Sequence, residues 1–305
     1  MRAVDRISHF AAGDPDHDAP ARALHNVANL TPLASPRPHK HAVNAYVAGG
    51  AGGRGGLARY TGGSLVPTDV AGGGGDVVSR TAVVTGGAGA IGGAIASALT
   101  ATGHTVAILD READFGVDLG DETAVRATAA RVLDTHGRCD VFIHAAAAFD
   151  RASLADLDAA TWRRVQAVNV ESALWLCQAF APGMADRGSG RIVFIVSDTV
   201  WEPPAPDLLA YVASKATLIG IARTLARALG REGITVNCVA PGLTPTPAAV
   251  ADTPPEVFAE VRARQAIDRS LVPDDIAATV AFLVSEGAGA ITGQTLCADG
   301  GLVLR

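Results

Sequence analysis

Cysteine is scarce in this 305-residue chain: Cys139, Cys177, Cys238 and Cys297 stand far apart, with no CxxC pair. That spacing excludes both a cysteine zinc site and a disulfide framework. Three of the four lie in apolar runs and read as buried free thiols, which points to a reducing, cytoplasmic setting. Positive charge is also short, with 25 Lys and Arg against 31 Asp and Glu and a formal net charge of −6. The chain therefore carries no electrostatic footprint for nucleic acid or anionic lipid. The first twenty residues lack the apolar core of a signal peptide, because Asp, His and Arg interrupt them. One absence misleads: residues 81–109 contain no Asp, Glu, Lys or Arg, which imitates a membrane span. Gly86, Gly87, Gly89, Gly92, Gly93 and Gly103 instead divide that stretch into strand, turn, helix, turn and strand. No membrane segment is expected.

Hydrophobic residues make up 49% of the chain and charged ones 18%, enough apolar material for a substantial core. The character changes near residue 78. Residues 1–78 are rich in Pro, His, Asp and Gly, without a sustained apolar period, and read as a mostly disordered extension with a short helix near Ala21 to Leu30. Five of the eight histidines lie there (His9, His17, His25, His39 and His41), near Asp14, Asp16 and Asp18. None has HxxxH spacing, so no metal site is expected.

From residue 79 to 305 the pattern alternates. Short β-branched runs at 81–85, 105–109, 141–144, 191–196, 234–239 and 295–298 are separated by helical stretches such as 88–102, 122–136 and 211–229. Strands apolar on both faces and alternating with helices imply an α/β fold, a doubly wound parallel sheet of the Rossmann type in a single domain.

Thr85-Gly86-Gly87-Ala88-Gly89-Ala90-Ile91-Gly92 follows the first of these strands and opens a helix. Glycines allow a tight turn and a close backbone approach to a pyrophosphate, and the helix N-terminus offers free N–H groups with a positive dipole. Asp110 ends the second strand, eighteen residues beyond Gly92. A carboxylate there can accept from both hydroxyls of an adenosine ribose and would repel a 2′-phosphate, which favours NAD(H).

Tyr211-Val212-Ala213-Ser214-Lys215 begins another helical stretch. Positions i and i+4 share a face, so phenol and ammonium can converge, and a nearby cation favours the phenolate needed for acid/base work. Upstream, a strand ends at Ser197. Downstream come Asn237-Cys238-Val239-Ala240-Pro241-Gly242, Thr292-Gly293-Gln294 and Asp299-Gly300-Gly301. In this order and spacing, from about residue 79 to the C-terminus, the set resembles the short-chain dehydrogenase/reductase family.

The resemblance implies hydride transfer between NAD(H) and a small secondary alcohol or ketone. It makes Tyr211 the general acid/base and Ser197 the holder of the substrate oxygen. Lys215 would lower the Tyr211 pKa and bind the nicotinamide ribose, and Asn169 would anchor the water of a proton relay. Gly86, Ala90 and Ile91 would line the pyrophosphate, Asp118 and Leu119 flank adenine, and Ala145, Pro241, Gly242 and Thr246 complete the cofactor site. It further implies a homotetramer or homodimer, built on helices near 161–180 and 211–229.

The chain departs from the family pattern at Ala90, which replaces a glycine, and at His144-Ala145-Ala146-Ala147, which replaces an Asn-Asn-Ala-Gly element. His144 is expected to brace the sheet rather than act as a second base. Asp198 either contacts substrate or caps a turn. Seven residues between Asp110 and Asp118 are too few for a helical crossover, so a short loop is expected there. The alternatives are an NADPH-dependent acyl-thioester ketoreductase and a catalytically silent dinucleotide-binding scaffold.

Overall fold

The computed structural model describes residues 79–304 and, before them, the backbone of three strands. The chain divides into two units, 1–75 and 76–305. In the first, β1 (Val43–Val47), β2 (Gly56–Thr61) and β3 (Ser64–Pro67) pair antiparallel in that order. Sequence patterning assigns no strand there, because each run is short and set among glycines. The rest of 1–78, including the expected helix near Ala21 and the His39 and His41 pair, lies outside the described residues.

The second unit is the expected doubly wound sheet. Its strands are β4 (Thr81–Thr85), β5 (Thr105–Asp110), β6 (Phe115–Gly116), β7 (Val141–His144), β8 (Gly190–Ile195), β9 (Ile234–Pro241) and β10 (Thr295–Ala298). They lie in the order β10-β9-β8-β7-β4-β5-β6, and every pairing is parallel. The winding reverses between β4 and β7, which opens a crevice at the C-terminal ends of those strands. The helices are α1 (Ala90–Ala101), α2 (Glu122–His136), α3 (Ala159–Gln166), α4 (Ser172–Asp186), α5 (Leu209–Leu229), α6 (Pro247–Asp252), α7 (Pro255–Arg264) and α8 (Pro273–Val284).

Strand residues alternate between two cores, which explains the continuous apolar runs. Val83, Leu109, Phe142 and Phe194 face Leu176 and Phe180 of α4 and Leu218 of α5. Val84, Ile143, Val193 and Val239 face Ile95 and Leu99 of α1 and Ile276 and Val280 of α8. Leu99 is fully buried, and its truncation to Ala would cost about 2–5 kcal/mol. Among the described residues one stretch, Pro206–Glu232, is long and apolar enough to cross a bilayer. It contains α5, which packs seven buried residues into the unit and contacts β9.

Two local irregularities position the site. The stretch expected as one helix over 161–180 is broken by a π-turn, Ala167–Glu171, where the Ser172 N–H reaches back five residues to the Ala167 carbonyl. Such turns displace backbone carbonyls from the helical ladder and make them available to other donors. Between β5 and β6 the chain crosses in a turn over residues 111–114, the short connection that the sequence spacing requires.

Candidate active site

The nucleotide side of the crevice is built from backbone. Gly86 has φ +70° and donates its N–H to the Leu109 carbonyl at 3.0 Å. A Cβ there would lie 2.7 Å from the backbone of Ala146, so the loop passes closer to the end of β7 than any side chain permits. Gly92 is pressed against the Gly86 carbonyl in the same way. Gly89 begins α1 with no side-chain cap, and no acidic residue occupies the first turn. The N–H groups around Ala90 and Ile91 are thus left for an anionic ligand.

Asp110 stands beside this loop. Its Oδ2 accepts from the Ala88 N–H at 3.2 Å, and its Oδ1 from the Arg111 N–H at 2.7 Å. Asp118 accepts from the Gly120 N–H at 2.9 Å and shapes the turn before α2, while Leu119 is buried in the core. Gly242 donates to the Ala298 carbonyl and packs too close to Asp299 and Leu271 for a side chain. Thr246 caps α6 through the Ala249 N–H, with Pro241 at the end of β9.

The other side is made of buried side chains. His144 is fully buried and joins Thr85 Oγ1 through Nδ1 and the Asn169 carbonyl through Nε2, each at 3.0 Å. A carbonyl can only accept, which assigns the imidazole proton to Nε2 and makes Nδ1 the acceptor for the Thr85 hydroxyl. Thr85 Oγ1 in turn accepts from the Ala145 and Ala146 N–H groups. Burial and the Lys215 charge push the His144 pKa down to about 3, against the hydrogen bond to Asn169, so the ring stays neutral. Thr85 is a partner that sequence reasoning missed; its signal was a hydroxyl at the strand end next to the replaced asparagines.

Asn169 is held in the π-turn. Its side chain pairs with both backbone groups of Ala148 and donates to Ser214 Oγ at 2.9 Å, and Ser214 donates to the Tyr211 carbonyl at 2.6 Å. Lys215, 1% exposed, donates to the Ile195 carbonyl at 2.8 Å, with its Nζ 5.5 Å from the centre of the Tyr211 ring. Burial lowers its pKa to about 8. The Phe149 ring stands edge-on to Tyr211, with centroids 4.7 Å apart, and is itself 45% exposed at the mouth.

Burial raises the Tyr211 pKa to about 12, opposed by a hydrogen bond shared with Ser197 and reinforced by the Asp198 charge. Desolvation of the phenolate is the larger effect. Ser197 and Asp198 form the turn above β8, where Ser197 Oγ accepts from the Thr199 N–H and hydroxyl. Asp198 thus both heads a turn and faces the site.

A glycine cradle and a Ser–Tyr–Lys set at the switch point of a parallel sheet define a dinucleotide-dependent oxidoreductase. Residues 86–303 match the family model described as enoyl-(acyl carrier protein) reductase, and the chain belongs to the short-chain dehydrogenase/reductase family, whose members use a nicotinamide dinucleotide. It is 33% identical over 240 residues to D-xylose 1-dehydrogenase from Caulobacter vibrioides, covering 73% of this chain and 95% of that one. It is 36% identical over 241 residues to cis-4-hydroxycyclohexanecarboxylate dehydrogenase from Sinomonas cyclohexanicum, covering 73% and 96%. A short-chain dehydrogenase from Burkholderia cenocepacia, solved in complex with NADP, superposes with a TM-score of 0.67 at 35% identity, covering 74% and 98%.

Proposed function

We propose that this protein interconverts a small secondary alcohol and its ketone with NAD(H), using Tyr211 as the general acid/base. The observation that carries the reading is the convergence of Ser197, Tyr211 and Lys215 beside a cradle whose glycines admit a pyrophosphate. When bound, the nicotinamide supplies or accepts the hydride. Tyr211, a protonated phenol near neutrality, gives its proton to the carbonyl oxygen in reduction and recovers it in oxidation. Ser197 holds that oxygen. Lys215 neutralises charge beneath the ring, and the Asn169–Ser214 chain fixes the helical turn that carries Tyr211.

Asp110 supports NAD(H), because a carboxylate held at the end of β5 repels a 2′-phosphate. The NADP(H) reading has Arg111 in its favour, next in the chain and able to meet a phosphate, but the Asp110 carboxylate is tied to the loop at Ala88, where its repulsion of a 2′-phosphate acts at short range. The relatives act on a sugar and on a hydroxylated cyclohexane acid, and the exposed Phe149 face beside Tyr211 suits a ring carrying a hydroxyl. A homotetramer or homodimer through α3–α4 and α5, in the cytoplasm, completes the proposal; Trp162 on α3 is 38% exposed.

The test is NAD(H)- and NADP(H)-linked turnover with D-xylose, cis-4-hydroxycyclohexanecarboxylate, cyclohexanone and linear ketones. Turnover of at least one, with NAD(H) preferred about a hundredfold in kcat/KM, or about 2.8 kcal/mol, is expected. Preference for NADP(H) would contradict the role given to Asp110.

A further inference from the structure

Ser197 has one proton and two acceptor lone pairs, and more partners than these can serve. Thr199 donates to its Oγ from the backbone at 3.2 Å and from the hydroxyl at 2.9 Å. Its own proton points to Asp198 Oδ1 at 3.3 Å, and the Tyr211 oxygen shares a hydrogen bond with it as well. Asp198 is a buried carboxylate, 7% exposed, and among the described residues it forms no ion pair. Backbone N–H groups of Asp198 and Thr199 help to hold this carboxylate, but no cation among the described residues pairs with it, and its bond to the site serine goes beyond what the turn requires.

We infer that Asp198 is a positioning residue that assigns the Ser197 proton. As a carboxylate it draws that proton away, so Ser197 withholds its one donor from the substrate oxygen. As a carboxylic acid it releases the proton, and Ser197 can donate to a ketone oxygen. The neutral state therefore favours ketone reduction and the ionised state disfavours it. The inference rests on the hydride-transfer reading and deepens it.

The surroundings put the change in a usable range. Asp299, just beyond β10, is near enough for its charge to act on Asp198, and both Asp299 carboxylate oxygens are taken by the Gly301 and Val303 N–H groups at 2.9 Å. Burial first, and the Asp299 charge second, raise the Asp198 pKa to about 6. From α5, Tyr211 at about 12 and Lys215 at about 8 titrate higher, and His144 on β7 titrates at about 3. Between pH 5 and pH 7, Asp198 is the member of this set that changes charge.

The test is the pH profile of kcat/KM for NADH-linked reduction, from about pH 5 to pH 8, with the fastest ketone of the panel above. Wild-type reduction should fall about tenfold with a midpoint near 6, the contrast between a charged and a neutral acceptor competing for one proton. Asp198→Asn, which keeps the shape and cannot ionise, should hold the acid-side value throughout, and Asp198→Ala should be equally flat. A flat wild-type profile, or an unchanged midpoint in either variant, would overturn the inference. Neither outcome touches the hydride-transfer reading, which fails separately if Tyr211→Phe turns over at the wild-type rate.

Discussion

The two sides of the crevice are built by opposite means. At the end of β4 and the start of α1 the structure offers backbone N–H groups, and its essential residues are those with no side chain, Gly86 and Gly92. On the other side it offers a hydrogen-bonded chain of side chains and backbone carbonyls that runs through Thr85, His144, Asn169, Ser214, Tyr211 and Ser197. The first side needs close approach and an unscreened dipole. The second needs groups whose charge and proton positions are set by burial. A nucleotide side made of backbone tolerates changes of sequence that keep its shape, whereas removing one member of the proton-handling side strands its neighbours.

That contrast is broken most severely by Gly86→Val. The left-handed φ and the close Ala146 backbone together cost about 3 kcal/mol, so NADH affinity should drop by about a hundredfold in a fluorescence titration. His144→Leu should come next, because it leaves the Thr85 hydroxyl and the Asn169 carbonyl without their partner, at a cost of about 2–4 kcal/mol in denaturant unfolding. The same variant tests the pH sign. The folded-state pKa of His144 is depressed to about 3, so protonation favours the unfolded chain. The stability it contributes is present above the ordinary histidine pKa of about 6.5 and is lost on acidification toward 3, at up to about 1.4 kcal/mol per pH unit. The acid limb of stability should be shallower in His144→Leu than in the wild type.

Asp110→Ala sharpens the nucleotide side alone. It removes the acceptor of the Ala88 and Arg111 N–H groups and should narrow the NAD(H) preference from about a hundredfold to about tenfold in kcat/KM. The smallest effect is expected from deleting residues 1–76, which removes no strand of the seven-stranded sheet. The melting temperature should move by no more than about 3 °C, on the scale of 1 kcal/mol for a domain of this size. Insolubility of the truncated protein would show that the first unit supports the second.

How much of this was legible in the sequence follows the same division. The glycine spacing and Asp110 announced the nucleotide side, since backbone geometry leaves its mark in glycine positions. The apolar runs of β4, β7 and β9 announced a parallel sheet buried on both faces. The two-residue strand β6 left no pattern, being shorter than one alternation. Tyr211, Lys215 and Ser197 were visible as residue types at the right spacing, but the direction of the Tyr211 shift was not, because it depends on how deeply the phenol is buried. The partners of His144 were equally hidden: Thr85 and Asn169 lie 59 and 25 residues away and meet it only through the sheet register and the π-turn.

The central claim is that one side binds the coenzyme and the other moves the proton, with Tyr211 as the hinge between them. Both functions can be read on one preparation of Tyr211→Phe, by titrating NADH fluorescence and then following ketone reduction. Affinity for NADH should remain within about twofold of the wild type, while turnover falls by about a hundredfold or more, the scale of general acid catalysis. Turnover near the wild-type rate in that variant would contradict the account.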